Sequence, residues 1–371
     1  MPVPRVAIDS AGGAADEQRV SADSHMGEPL DLWETRLPAR FKERALRFPS
    51  LKLFETNHHL RAGGWDPDER LKDMAFDGIS AEVLYPTLGK QAWNTGDPAL
   101  EEACVRVYND WLIEFCSAAP NRLWGLGMIS AYDIEAAIEE LERCKKAELR
   151  GVNLPVGPDP DIPYSSEHYE PFWAAAQEMG VPISLHINSG LGYSRKTPKR
   201  AGLLPDGVHK FDCMKALGDI VASGVLERYP ELKIVVAEAG VGWIPFFAQE
   251  FDAYTTQRRS TLPLRPSEYI WRQVYGAFIS DRVGGFLISG FGEDNFMWSS
   301  DYPHPACIWP GAGGAIAQDL GHLTAEARAK VICTNAAKVY NDGVLPPPAD
   351  PPGEHQPLDE LWFKEHEPVF V

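Results

Sequence analysis

Four short segments of the chain end in side chains that bind metals and move protons. Asp23-Ser24-His25 closes the run RVSADSH, His186 closes PISLHI, Glu238 closes KIVVAE, and Asp301 closes FMWSSD. Asp23 and His25 stand two apart, so on an extended segment both side chains leave the same face. Two imidazoles and at least two carboxylates converging from such ends form a mixed nitrogen and oxygen site suited to Zn or Mn, with room left for water or a substrate oxygen. Each piece alone has a plain structural role. An aspartate caps turns, a histidine satisfies a carbonyl, and Asp301 before Tyr302-Pro303 fits a turn. Together they are costly to bury unless one divalent cation satisfies them all.

Something must bring these ends together. Beta-branched runs fall at residues 19 to 25, 79 to 87, 123 to 129, 150 to 155, 182 to 187, 233 to 238, 273 to 279 and 296 to 301. Between them lie stretches of helical periodicity, clear in DPALEEACVRVYNDWLIEFCSAA and DIEAAIEELERCKKAE and also read in SEHYEPFWAAAQEMG, CMKALGDIVASGVLERYP, GWIPFFAQEFDAYTTQRR and TAEARAKVICTNAAKVYN. Strand-then-helix repeated eight times predicts an α/β fold that closes into a (β/α)8 barrel, whose catalytic groups gather at the C-terminal strand ends. An open doubly wound sheet is the alternative. It lacks support because no GxGxxG follows a first strand, and the Gly-rich run WPGAGGAIA comes after the last one.

The motifs DSHMGEP, SLHINSG, VVAEAGVGWIP, WSSDYPHP and TNAAKVY, in that order over roughly residues 19 to 341, resemble the amidohydrolase-related family, often called amidohydrolase family 2. That group holds metal-dependent hydrolases and the decarboxylases related to aminocarboxymuconate-semialdehyde decarboxylase and gamma-resorcylate decarboxylase. The resemblance implies a distorted (β/α)8 TIM barrel and one divalent metal, Zn or Mn, held by Asp23, His25, His186 and Asp301. It implies a homodimer or higher homo-oligomer as well. Two positions depart from many relatives. Asp23 stands where they carry the first histidine of His-x-His, which resembles the carboxylate-x-His version of the aromatic-acid decarboxylases. Glu238 stands where several carry a catalytic histidine. A glutamate there either transfers protons, with a pKa lifted by burial or a neighbouring carboxylate, or accepts a hydrogen bond that orients His186 or His25.

Three further groups are candidates. His304, in the loop after the last strand, either reaches the pocket or lies on the surface. Arg61 and Arg70 sit with His58-His59 and Trp65 in an insertion spanning about residues 26 to 78. Such an insertion can form a lid from which an arginine clamps a substrate carboxylate. The expected enzyme is a non-oxidative decarboxylase of a small aromatic or enol-type acid, with Asp301 or Glu238 as the proton donor. Hydrolysis of an amide, ester or carbon–carbon bond is the alternative, with Asp301 taking a proton from water. A barrel that only binds a ligand is the third reading, and the competent residues at all four ligand positions weigh against it.

Charge and composition narrow the partners. The chain has 35 Lys and Arg against 53 Asp and Glu, a formal charge of -18 that repels phosphate backbones, so no nucleic-acid partner is expected. No stretch approaches the roughly 18 apolar residues that span a bilayer, and residues 1 to 18 read as an arm without a signal-peptide core. The expected address is cytoplasmic and the expected partner a small-molecule carboxylate. The six cysteines form no CxxC pair, which predicts buried thiols. From about residue 343 the chain is proline-rich, a second arm, and its aromatic end LWFKEHEPVFV either packs back or joins a neighbouring subunit.

Overall fold

A computed structural model describes residues 17 to 48, 61 to 190, 209 to 258, 261 to 304 and 307 to 352. Eight strands follow one another around a single sheet: β1 Arg19–His25, β2 Ile79–Tyr85, β3 Leu123–Met128, β4 Gly151–Gly157, β5 Ile183–Gly190, β6 Ile234–Ala237, β7 Val274–Phe278 and β8 Phe296–Trp298. Every neighbouring pair from β1 to β8 is parallel. The last expected strand is shorter than the run 296 to 301, because residues beyond Trp298 leave the ladder to close the barrel. Asp301 N donates to Asp23 O at 2.9 Å, Ser300 N to Ser21 Oγ at 2.8 Å, and His25 N to Tyr302 O at 2.6 Å. The sheet is therefore a (β/α)8 barrel rather than an open doubly wound sheet.

The helices start where the sequence provides a cap. Asp66, Asp97 and Asp133 each accept two backbone N–H groups of the following turn, and Pro67 and Pro98 supply the preset φ of a first helical residue. These helices, Pro67–Asp77, Pro98–Cys116 and Ile134–Lys146, cover the outside of the first strands. Gly125 and Gly127 make room for the last two. A Cβ at Gly125 would stand 2.8 Å from Cys116 Sγ, and one at Gly127 2.6 Å from Cys144 Sγ. The stretch 213 to 230, expected as one helix, is two, Lys210–Ala222 and Val225–Arg228, broken at Gly224 with φ 77°. The strands are buried on both faces, and Trp33, Trp124, Trp173 and Trp298 are among the largest side chains wholly removed from solvent. All six cysteines are free thiols, five of them buried.

The insertion after β1 packs onto the barrel where it is described. Trp33 on the short helix Leu32–Arg36 is fully buried and donates its indole N–H to Cys104 O at 3.0 Å. The expected His58-His59 lies outside the described residues. At the opposite end of the barrel, Arg122 donates to Pro348 O at 2.7 Å and pairs with Asp350 at 3.0 Å, so the proline-rich segment lies against the start of β3. The aromatic C-terminal end lies outside the described residues. No helix among the described residues is long and apolar enough to cross a membrane.

Candidate active site

The C-terminal strand ends bring six of the expected side chains to one mouth. Asp23 and His25 come from β1, His186 from β5, Glu238 from the residue after β6, and Asp301 and His304 from the segment after β8. Asp23, His25, His186 and Asp301 are wholly buried. Glu238 and Asp301 are not glycines, yet they adopt φ of 59° and 56°. A left-handed residue of this kind costs on the order of 1–2 kcal/mol and persists only where surrounding contacts hold it. Here the turn ends each strand abruptly and throws its carboxylate into the mouth.

Backbone carbonyls set the tautomers of the two central histidines. His25 Nδ1 lies 3.1 Å from Pro86 O and His186 Nδ1 lies 2.8 Å from Ile187 O. Carbonyls only accept, so each Nδ1 carries the proton, and each Nε2 of a neutral ring presents a lone pair. Those two Nε2 atoms stand 2.9 Å apart. Asp23 Oδ1 is 3.5 Å from both of them, Asp301 Oδ1 is 3.5 Å from His25 Nε2, and Glu238 Oε2 is 3.2 Å from His186 Nε2. Neither carboxylate oxygen of Asp23 or of Asp301 has a partner in hydrogen-bond geometry. One proton between the imidazoles would satisfy two nitrogens and leave the Asp23 and Asp301 carboxylates without a matching hydrogen bond, whereas one divalent cation suits the whole set. Separations near 3 Å are also those of ligands placed about 2 Å from a shared ion. The cluster fits a single divalent metal.

The grouping is wider than the four expected ligands. Asp23, His25, His186 and Glu238 offer one atom each within 4.8 Å of one another, and so do His25, Glu238, Asp301 and His304. Glu238 thus belongs to both sets. Its expected alternative role, orienting a histidine through the far ring nitrogen, falls to Pro86 and Ile187 instead. Electrostatics agree with a crowded anionic cluster. Burial pushes the Asp23 carboxyl up to about 7; burial and then Asp301 push Glu238 up to about 7; burial and then Asp23 hold Asp301 well above the usual carboxylate range. Burial and the Lys90 ammonium lower His186 to about 3, which keeps its imidazole neutral.

His304 reaches the site rather than the surface. Its Nδ1 stands 2.9 Å from Asp301 Oδ1, its Nε2 lies 3.0 Å from Thr87 Oγ1, and its ring stacks on His25 at 3.6 Å between centroids. Arg61 and Arg70 are placed elsewhere, which corrects their expected role as a carboxylate clamp. Arg61 makes a bidentate pair with Asp73, at 2.9 and 2.5 Å, and lies over the Trp309 ring. Arg70 is fully buried, pairs with Glu82, and donates to His25 O at 2.9 Å and Gly63 O at 3.2 Å. Two groups at the mouth escaped the sequence reading. Thr87 and Lys90 follow β2, and Lys90 Nζ lies 3.4 Å from His186 Nδ1. Their signal in the sequence is the strand end YPTLGK, which carries neither imidazole nor carboxylate.

Residues 55–341 match the amidohydrolase family, and the chain belongs to it. The gamma-resorcylate decarboxylase of Rhodococcus jostii strain RHA1 is 27% identical over 307 residues, covering 74% of this chain and 87% of that enzyme. Solved structures with the same fold include the 2,6-dihydroxybenzoate decarboxylase from Rhizobium, with a TM-score of 0.68 and 22% identity over 87% of this chain and 98% of that one. A dihydroxybenzoic acid decarboxylase from a Polaromonas species, solved with bound manganese and the inhibitor 2-nitroresorcinol, aligns with a TM-score of 0.67 and 20% identity over 87% of this chain and 97% of that one.

Proposed function

We propose that this chain is a metal-dependent non-oxidative decarboxylase of a small hydroxylated aromatic acid. The observation that carries the metal dependence is the opposed pair of imidazole lone pairs ringed by bare carboxylate oxygens. The likeness to gamma-resorcylate decarboxylase supports the reaction type. Asp23, His25, His186 and Asp301 would hold the cation, manganese or zinc, with Glu238 beside them. When bound, the cation supplies the positive charge that holds a carboxylate and a neighbouring ring oxygen at the mouth. Asp301 is then the proton donor. It delivers a proton to the ring carbon bearing the carboxylate. The carbon–carbon bond to the carboxylate then breaks, its electron pair restores the ring, and carbon dioxide leaves. His304, 2.9 Å from Asp301 and hydrogen-bonded to Thr87, holds that carboxyl in place.

The test is a panel of hydroxybenzoates and of amide and ester analogues, offered to the manganese- and zinc-loaded protein. Carbon dioxide and the matching phenol from a hydroxybenzoate are expected. Turnover confined to amides or esters would overturn the reading in favour of hydrolysis.

Glu238→Gln separates roles at the same site. If Glu238 exchanges protons during the reaction, the variant keeps its metal and turnover falls at least about a hundredfold. If it only supports the metal cluster, metal affinity falls roughly ten- to a hundredfold and added metal restores the rate. We expect the first outcome, because Glu238 lies on the partly open side of the cluster, with its side chain 17% exposed. Metal affinity and metal-saturated turnover measured on one preparation decide the matter.

The subunits associate in this reading. Phe211, Phe246 and Tyr254 are each more than half exposed on the outer helices, an apolar surface that a second copy would cover. Light scattering at micromolar concentration is expected to give at least a dimer, and a monomer would reject this.

A further inference from the structure

We propose that Lys90 is the cation that binds the substrate's carboxylate, a role that rests on the decarboxylase reading above. With Arg61 and Arg70 held by Asp73 and Glu82, Lys90 is a side-chain cation that remains to meet an acid beside Asp23, Glu238 and Asp301. Lys90 is only 7% exposed and forms no ion pair among the described residues. Among the described residues its ammonium has one hydrogen-bond contact, His186 Nδ1 at 3.4 Å, and that nitrogen already directs its own proton to Ile187 O at 2.8 Å; Asp23 and Asp301 attract it without pairing with it. Two donors facing one another do not satisfy an ammonium. A lysine with three donors, withdrawn from water and lacking an ion pair within 4 Å among the described residues, keeps donors available to an arriving anion.

The loop that carries Lys90 is held rigidly, as a binding group requires. The buried carboxylate of Glu28 accepts three consecutive backbone N–H groups, from Thr87 at 3.0 Å, Leu88 at 2.9 Å and Gly89 at 3.0 Å. Gly89 is tightly enclosed, since a Cβ there would meet Glu28 Oε1, Met128 Sδ and Pro86 Cβ, each at 3.1 Å. The 3-10 turn Gly89–Asn94 begins at that point and leaves Lys90 beside His186, on the flank of the cluster. The ammonium is therefore fixed next to the metal ligands without being one of them. An acid entering this mouth would meet Lys90 beside the residues that would hold the metal. Prepaid positioning of this kind lowers the cost of binding and of reaction.

The experiment measures binding rather than turnover. Calorimetric titration of the manganese-loaded protein compares salicylate with phenol and 2,6-dihydroxybenzoate with resorcinol, each pair differing by the carboxylate alone. Wild type is expected to favour at least one acid over its phenol. Lys90→Gln is expected to weaken that acid about ten- to a hundredfold, the loss typical of a charged hydrogen-bond partner, with the phenol changed less than about twofold. Lys90→Arg is expected to recover part of the preference, and manganese content should stay stoichiometric in both variants. An equal loss for acid and phenol, a loss of manganese in Lys90→Gln, or a wild type with no preference for either acid would overturn the assignment. If the acid preference depends on Lys90 while no acid is decarboxylated, the lysine's role stands and the reaction reading fails.

Discussion

His186→Ala is expected to purify without stoichiometric manganese or zinc and without measurable turnover. His186 Nε2 is the atom most closely surrounded in the cluster, with His25 Nε2 at 2.9 Å, Glu238 Oε2 at 3.2 Å and Asp23 Oδ1 at 3.5 Å. Its removal takes one neutral nitrogen from the set and leaves three carboxylates to share the remaining charge, a site far weaker for a transition metal. Asp301→Asn supplies the contrast. The amide keeps the shape but can neither carry the proton nor add charge to the cluster, so turnover should fall by at least about a hundredfold even at saturating manganese. Elemental analysis of both proteins after reconstitution reads the outcome directly. Stoichiometric metal retained by His186→Ala would remove the basis for the proposed centre.

The second large effect is on stability. Arg70→Met is expected to destabilise the fold by about 3–5 kcal/mol, because it strands the Glu82 carboxylate, only 2% exposed, without its partner. The same guanidinium donates to His25 O and lies over the Tyr302 ring at 4.5 Å, so it ties the ends of β1 and β8 together beneath the site. The double variant Arg70→Met with Glu82→Leu removes both charges and should recover most of the loss, as apolar replacements of a buried ion pair commonly do. Urea denaturation of the three proteins is the measurement. A single variant within about 1 kcal/mol of wild type would show that the pair is not needed to hold the barrel closed.

Much of the architecture was legible because it depends on local order along the chain. Beta-branched runs alternating with amphipathic stretches give parallel strands joined by helices. The two clearest helical stretches begin at Asp97 and Asp133, and both aspartates cap their helices, whereas the helix Pro67–Asp77 within the insertion is not among those expected. The two-residue period of a strand is enough to put Asp23 and His25 on one face. The approach of His186, Glu238 and Asp301 followed from the barrel rule, since strand ends share a mouth whatever their separation in sequence. Other features had no local signature. Whether an arginine meets a substrate or a buried glutamate depends on which partner the fold brings near: Arg70 meets Glu82, twelve residues away, and Arg61 meets Asp73. The left-handed turns at Glu238 and Asp301 occur without a glycine to mark them in the sequence. The tautomers of His25 and His186 are set by carbonyls of Pro86 and Ile187, one of them from another strand end. Lys90 is an ordinary lysine in the sequence. Its significance arises only when packing withdraws it from water beside His186 and within electrostatic reach of Asp23 and Asp301, because the cost of holding a charge out of water depends on burial, and burial is decided by the tertiary fold.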